Sequence, residues 1–411
     1  MNPLLSLLQP YPFERLRLLF AGVTPNPAYR HISLGIGEPK HPTPGFILDA
    51  LDAAARARPS GLASYPATAG EPAFRASCAA WLANRYGLAI DPATQVLPVN
   101  GSREALFALA QTVINPTSPA DANRSAPWVV CPNPFYQIYE GAALLSGAKP
   151  WFVPAVPNKN FAPDWDNVPE AVWAATQLVF VCSPGNPTGA VMGLPEWRKL
   201  FELSEQYGFV IASDECYSEI YFRDEPPLGG LQAAQLCGVK NFKNLVALTS
   251  LSKRSNVPGM RSGFVAGDAA ILKQFLLYRT YHGSAMSPVV QSASCAAWSD
   301  EAHVLDNRNQ YRTKFSAVTP LLASVLDVAL PDAAFYLWAA VPQKGWQCDD
   351  VAFARALYAD YNVTVLPGSY LAREFNGHNP GNGRIRLALV AETSECLEAA
   401  QRIVAFCNAH H

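Results

Sequence analysis

The sequence predicts an α/β chain. A large domain is built on a mostly parallel sheet of seven strands covered by helices, and a smaller α+β domain is formed by the N-terminal segment and the C-terminal part. Three observations carry this prediction. Seven short apolar runs lie between Val96 and Ala266, interleaved with helical stretches, as in sheets buried on both faces. Half of the 411 residues are hydrophobic and only 16% are charged, enough for a large core. Beyond Ser284 the alternation gives way to two helical stretches followed by well-spaced strands and helices. The expected division is 1–44 for the N-terminal arm and its part of the small domain, 45–300 for the large domain, and 301–411 for the rest, including a bridging helix.

Residues 13–20 (FERLRLLF) have helical spacing and stop near Gly22. Ile32, Ser33 and Leu34 make a short strand that breaks into Gly35 and Gly37, a pairing that suits backbone approaching something. Helices follow at 46–57 and 71–86, with a loop at 64–70 between them. The run 96–99 is the first strand of the sheet, and Asn100-Gly101-Ser102-Arg103-Glu104 opens a helix reaching 113. A Gly-Ser turn at a helix start presents free N–H groups and a positive dipole end, which suits an anion, although capping alone explains many such turns. Runs at 128–131, 150–153, 178–182, 209–213, 245–248 and 263–266 complete the seven, with helices at 136–145 and 195–207. The remainder reads as helices at 289–298 and 301–326, strands at 335–341, 363–366 and 384–389, and helices at 350–361 and 392–409.

Composition excludes several classes. A formal net charge of −2 without a long basic stretch argues against nucleic-acid binding. The nine cysteines are odd in number and scattered, with no CxxC pair, so a disulfide framework or a zinc site is not expected. They read as reduced residues of a cytoplasmic protein. Residues 1–20 lack a basic start and are interrupted by prolines and charges, unlike a signal peptide or a membrane span. No metal site is expected.

Ligands collect at the carboxyl ends of strands in such sheets. Three clusters fall there: Ser183-Pro184-Gly185-Asn186-Pro187-Thr188-Gly189, Asp214-Glu215-Cys216-Tyr217, and Ser250-Leu251-Ser252-Lys253 continuing to Arg261. A buried lysine amine loses its proton and attacks a carbonyl, and nearby hydroxyls with Arg261 suit a phosphate. Taken singly, Lys253 reads equally well as a surface lysine in a polar loop, and Asp214 as a cap.

Taken together, the three clusters resemble the class I/II aminotransferases, pyridoxal 5′-phosphate (PLP) enzymes of fold type I, and the likeness extends from Gly35 to the C-terminal helix. The resemblance implies PLP as cofactor, with Lys253 as its Schiff-base lysine and proton shuttle. It implies that Asp214 pairs with the pyridine nitrogen, and that Asn186 and Tyr217 bond the ring's phenolic oxygen. Tyr136 would stack on the ring, with Phe135 as the alternative one residue away. Gly101, Ser102, Arg103, Ser250 and Arg261 would hold the phosphate, joined by Tyr65 from the partner subunit, so a homodimer with shared sites is implied. Arg386 would clamp the substrate α-carboxylate, with Arg384 as the register alternative, and Gly37 would face that carboxylate. Cis peptides are expected at Asn133–Pro134 and Asn186–Pro187.

The N-terminal stretches Leu8-Gln9-Pro10-Tyr11-Pro12-Phe13-Glu14-Arg15-Leu16 and Leu34-Gly35-Ile36-Gly37-Glu38-Pro39-Lys40-His41-Pro42-Thr43-Pro44 are similar to those of proteobacterial N-succinyl-LL-2,6-diaminopimelate aminotransferases. The reaction so implied interconverts N-succinyl-LL-2,6-diaminopimelate plus 2-oxoglutarate with N-succinyl-2-amino-6-oxopimelate plus glutamate. The alternative is an aspartate- or alanine-type aminotransferase, or another enzyme of the same fold. A regulator on this fold should carry an added N-terminal winged helix, for which the first few tens of residues leave no room. A long substrate needs a roomy pocket, for which the N-terminal segment and residues 254–256 are the expected wall. Arg254 or Arg103 is the expected ligand of its distal carboxylate.

Overall fold

All seven predicted runs lie in one sheet, which has eight strands in the computed structural model, whose described residues are 1–116 and 126–410. The spatial order is Val96–Val99, Gly263–Gly267, Leu245–Ser250, Val210–Asp214, Thr176–Cys182, Trp128–Asn133, Lys149–Val156 and Ala162–Pro163. The expectation of seven strands is corrected by Ala162–Pro163, which folds back antiparallel on Lys149–Val156. Two residues, one of them proline, offer no period to read. The strands from Leu245–Ser250 to Lys149–Val156 pair in parallel, while Gly263–Gly267 runs against both of its neighbours.

The sheet is buried on both faces, as its unbroken apolar runs require. Along Thr176–Cys182, Val179 and Val181 enter one core with Trp197 and Leu200. Leu178 and Phe180 point the other way, into a core with Leu106 and Tyr139. Side chains alternate along each strand, and the parallel pairing sends the carboxyl ends of the parallel strands to one edge.

The sequence predicts no helix between 267 and 288, yet Ala269–His282 forms one. Its apolar residues fall on several sides, which blurs the helical period. The end signals are nevertheless present: Asp268 accepts from Ala270 N, and Gly283 closes the helix with φ +82°. A short helix at Gly230–Leu236 is likewise unpredicted.

A third core forms between helices Ala302–Ala323 and Thr393–Ala409 and a three-stranded antiparallel sheet. Arg384–Ala388 is its central strand, flanked by Tyr336–Ala340 and Leu366–Pro367. The single strand expected at 363–366 is divided, because Val363–Thr364 pairs in parallel with Ile32–Ser33 instead. The N-terminal segment is thereby fixed beside Arg386, with Ala388 N donating to Leu34 O at 2.7 Å. Both expected cis peptides are present, along with Arg58–Pro59 and Ser183–Pro184. Among the described residues no helix is long and apolar enough to cross a membrane, and no cluster of metal-ligating side chains occurs.

Candidate active site

The three strand-end clusters converge on one cavity of about 560 Å³. Lys253, Asp214, Tyr217, Asn186, Ser250, Ser102, Arg103, Arg261, Tyr136, Gly37 and Arg386 all line it. Gly101 lies immediately behind, as the N-cap of helix Ser102–Val113. Tyr65 is fully exposed and does not line the cavity.

Lys253 sits on a single helical turn, Leu251–Arg254, directly after strand Leu245–Ser250. Its Nζ donates to Gly37 O at 2.7 Å. Burial pushes the amine down to about 8, and the Arg386 and Arg103 charges act in the same direction. A substantial neutral fraction is therefore available near pH 8.

Asp214 ends strand Val210–Asp214 and is 5% exposed. Tyr139 OH donates to its Oδ2 at 2.8 Å, and Cys216 N to its Oδ1 at 3.4 Å. Burial raises its pKa against these bonds, and no cationic side chain counters it. A buried carboxylate with no cation opposite it calls for one from a ligand.

The structure places the two pairs of register alternatives differently. Tyr136 lines the cavity and accepts from Arg103 Nε. Phe135 is 1% exposed and packs on Phe152 in the core. Arg386 is 3% exposed, donating to Asn186 Oδ1 at 3.0 Å and Gly35 O at 2.8 Å, while its buried Nε has no partner. Arg384 instead lies 5.1 Å from the Phe161 ring.

Two glycines leave space that the site uses. A Cβ on Gly37 would fall 2.0 Å from Tyr336 Oη. Gly101 has φ +83°, and a Cβ there would fall 2.1 Å from Arg261 Nη2. Arg261 and the start of helix Ser102–Val113 thus share one corner of the cavity, whose lining also includes Ser102, Ser250 and Arg103. That corner is cationic and rich in donors, a fit for a phosphate.

Two expectations are corrected. Arg254 does not line the cavity: its guanidinium donates to Ala297 O at 2.7 Å and Asp300 O at 3.2 Å and pairs with Glu301. It packs over Trp298 at 4.8 Å. Residues 254–256 are not part of the wall either, whereas Tyr11, Pro12 and Phe13 are.

Tyr139, Tyr336 and Cys216 were not singled out from the sequence. Tyr336 OH lies 2.9 Å from Tyr217 OH, and Cys216 Sγ lies 3.0 Å from Ser102 Oγ. Tyr139 lies in the first turn of helix Ile138–Leu145, three residues after Tyr136, and the two rings meet edge-on at 5.8 Å. No motif surrounds Tyr336.

A lysine amine lowered by burial, a buried carboxylate without a cationic partner and a cationic, donor-rich corner within one cavity suit an enzyme working through a phosphorylated aldehyde cofactor. The description "Aminotransferase class I and II" matches residues 30–403. The LL-diaminopimelate aminotransferase of Nitratidesulfovibrio vulgaris (strain DP4) is 32% identical over 405 residues, covering 97% of each chain. An aminotransferase structure from Neisseria meningitidis is 54% identical, with a TM-score of 0.92 over 99% of this chain and 100% of that one. A probable N-succinyldiaminopimelate aminotransferase from Thermus thermophilus is 26% identical, with a TM-score of 0.82 over 96% and 99%. The chain belongs to the class I and II aminotransferases, and its cofactor is pyridoxal 5′-phosphate.

Proposed function

We propose that the chain transaminates N-succinyl-LL-2,6-diaminopimelate with 2-oxoglutarate, reversibly giving N-succinyl-2-amino-6-oxopimelate and glutamate. The observation that carries this reading is the cavity wall. Tyr11, Pro12, Phe13, Ile36 and Glu38 line it, and they belong to the stretches that resemble the succinyl-specific enzymes. A structural relative bearing that name supports it. A second reading, transamination of LL-diaminopimelate itself, is favoured by the names of curated relatives at about 30% identity.

When bound, the cofactor supplies an aldehyde carbon for the substrate amine and a protonated ring that draws electrons from the substrate α-carbon. Lys253 would carry the cofactor and then, released, move the proton between the α-carbon and the cofactor carbon. Its lowered pKa leaves a lone pair for that transfer. Asp214 would hold the proton on the ring nitrogen, with Tyr139 fixing the carboxylate. Asn186 would donate its amide hydrogens to the phenolic oxygen, because its Oδ1 already accepts from Arg386. Tyr217 would donate to the same oxygen, backed by Tyr336. Tyr136 would cover the ring.

Gly101, Ser102, Arg103, Ser250 and Arg261 would hold the phosphate, with Tyr65 arriving from the partner subunit of a homodimer. Arg386 would take the α-carboxylate beside Gly37, giving its unpartnered Nε a ligand. Arg103 is our remaining choice for the distal carboxylate.

The test is a half-reaction without keto acid, followed by the loss of the cofactor's visible band. Fast conversion by glutamate and N-succinyl-LL-diaminopimelate, with LL-diaminopimelate, aspartate and alanine slow, supports the proposal. Fast conversion by LL-diaminopimelate but not its succinyl derivative establishes the second reading.

A further inference from the structure

A buried polar chain runs from the N-terminal segment to the backbone of Lys253, and the transamination chemistry makes no use of it. Its members are His41 and, on helix Ala302–Ala323, Asn307 and Lys314, all buried. The direction of each bond follows from the carbonyl end. Asn307 Nδ2 donates to the carbonyls of Lys253 at 3.2 Å and Arg254 at 3.5 Å. These close the one-turn helix that bears the lysine, and no later turn satisfies them. Asn307 Oδ1 is then the acceptor for Asn256 Nδ2 at 3.0 Å and His41 Nδ1 at 2.8 Å. His41 must therefore carry its proton on Nδ1, and its bare Nε2 accepts from Lys314 Nζ at 2.8 Å. The chain runs one way, from Lys314 through His41 and Asn307 to the Lys253 carbonyl. A proton added to His41 would set two donors against each other.

The same segment grips the other end of the lysine, since Gly37 O accepts Lys253 Nζ at 2.7 Å. Residues 37–41 thus bracket Lys253, at its amine through Gly37 and at its backbone through His41 and Asn307.

We propose that His41 is a positioning residue for Lys253: with Lys314 as its donor, it orients Asn307 and fixes the carbonyl end of the turn from which Lys253 projects. The inference rests on Lys253 being the reacting amine. The groups facing the pair bear on its pH dependence. The Tyr311 ring lies 4.6 Å from the His41 ring and 4.9 Å from Lys314 Nζ. Asp306 and Glu392 are the carboxylates acting on His41, and Cys396 and Glu392 act on Lys314. Burial is the largest influence on both and lowers both. With the folded pKa of His41 below the unfolded value, acidification protonates the unfolded chain first, and stability falls with pH below about 6.5.

The experiment compares wild type, H41F, H41Q and H41F/K314M. It measures the pH midpoint of the bound cofactor's visible band, kcat and KM for glutamate, and cofactor-free melting across pH. We expect H41F to move the midpoint by about half a pH unit or more and to lower kcat about 10-fold with KM within about twofold. H41Q, which accepts and donates at the same two points, is expected to restore both. H41F/K314M removes both polar partners and is expected to regain lost melting temperature but neither the midpoint nor kcat.

A wild-type midpoint and kcat in H41F/K314M would overturn the proposal and reduce the chain to packing. If H41F does not fold, H41Q and the double variant carry the same comparison. Wild type taking up no pyridoxal phosphate would refute the aminotransferase reading instead. Cofactor-free melting would then decide for His41: a slope below about pH 6.5 that is shallower in H41F/K314M supports the pair, the remainder coming from His31 and His303, which burial also lowers, and equal slopes reject it.

Discussion

Replacing Gly101 by alanine should loosen the cofactor while leaving the fold in place. Gly101 adopts φ +83°, ψ 155°, a region essentially reserved for glycine, where another residue costs about 1–3 kcal/mol. The added Cβ would lie 2.1 Å from Arg261 Nη2 and 2.8 Å from its Cζ. The guanidinium ends a long side chain and can swing aside, so the clash is relieved by moving Arg261. In moving, it gives up its 3.3 Å bond to Asn100 O and its place at the phosphate corner. A charge-assisted bond to phosphate contributes about 1.5–3 kcal/mol, so affinity for pyridoxal phosphate should fall roughly 10- to 150-fold. Arg261→Ala should cause a similar loss, and the double variant little more, because both changes remove one interaction. The assay is equilibrium titration of the cofactor-free protein with pyridoxal phosphate, followed by the quenching of its tryptophans. Binding by G101A within twofold of wild type, or full additivity with R261A, would refute the reasoning.

Other outcomes follow from the same geometry. Asp214→Asn should lower kcat by about 100-fold or more, while the cofactor-free melting temperature holds or rises, since a buried charge is relieved; a large drop in melting would point to a structural role. Uptake of pyridoxal phosphate by cofactor-free protein should speed up as pH rises towards about 8 and level off above it, because the reactive form of Lys253 is the neutral amine; a rate still climbing at about pH 10 would indicate an ordinary lysine. Arg386→Lys keeps the charge but loses the planar fork, so KM for glutamate should rise about 10- to 100-fold with a smaller change in kcat, as read from steady-state kinetics. On the proposed homodimer, Tyr65→Phe should weaken pyridoxal phosphate binding at protein concentrations that favour association and not in the dilute protein, as titration at both would reveal; equal binding by variant and wild type at every concentration would remove Tyr65 from the site.

The strand-end clusters were legible because apolar runs mark the strands and a parallel sheet brings their carboxyl ends to one edge. Lys253, Asp214 and Asn186 could be placed together on that basis. Arg254 could not. Taken singly, the sequence around Lys253 reads as a polar loop, but the structure has a helical turn there. Successive residues of a helix point about 100° apart, so when Lys253 faces the cavity Arg254 is carried round to Trp81 and Trp298. The choice between Tyr136 and Phe135 was open because both are aromatic and adjacent, and only the tertiary packing, Tyr136 on the cavity and Phe135 against Phe152, distinguishes their positions. Tyr336 escaped notice because its role depends on a glycine far away in sequence, Gly37, whose missing side chain makes room for its hydroxyl. The His41 chain escaped for the same reason, since His41 lies 266 residues from Asn307 and 273 from Lys314.

The central claim is that Lys253 carries the cofactor. The most direct measurement is borohydride reduction of the protein loaded with pyridoxal phosphate, followed by digestion and mass mapping. The account predicts one pyridoxyl group per chain, on the peptide containing Lys253, and none in Lys253→Ala. A label on another lysine, or stoichiometric labelling of the variant, would contradict it.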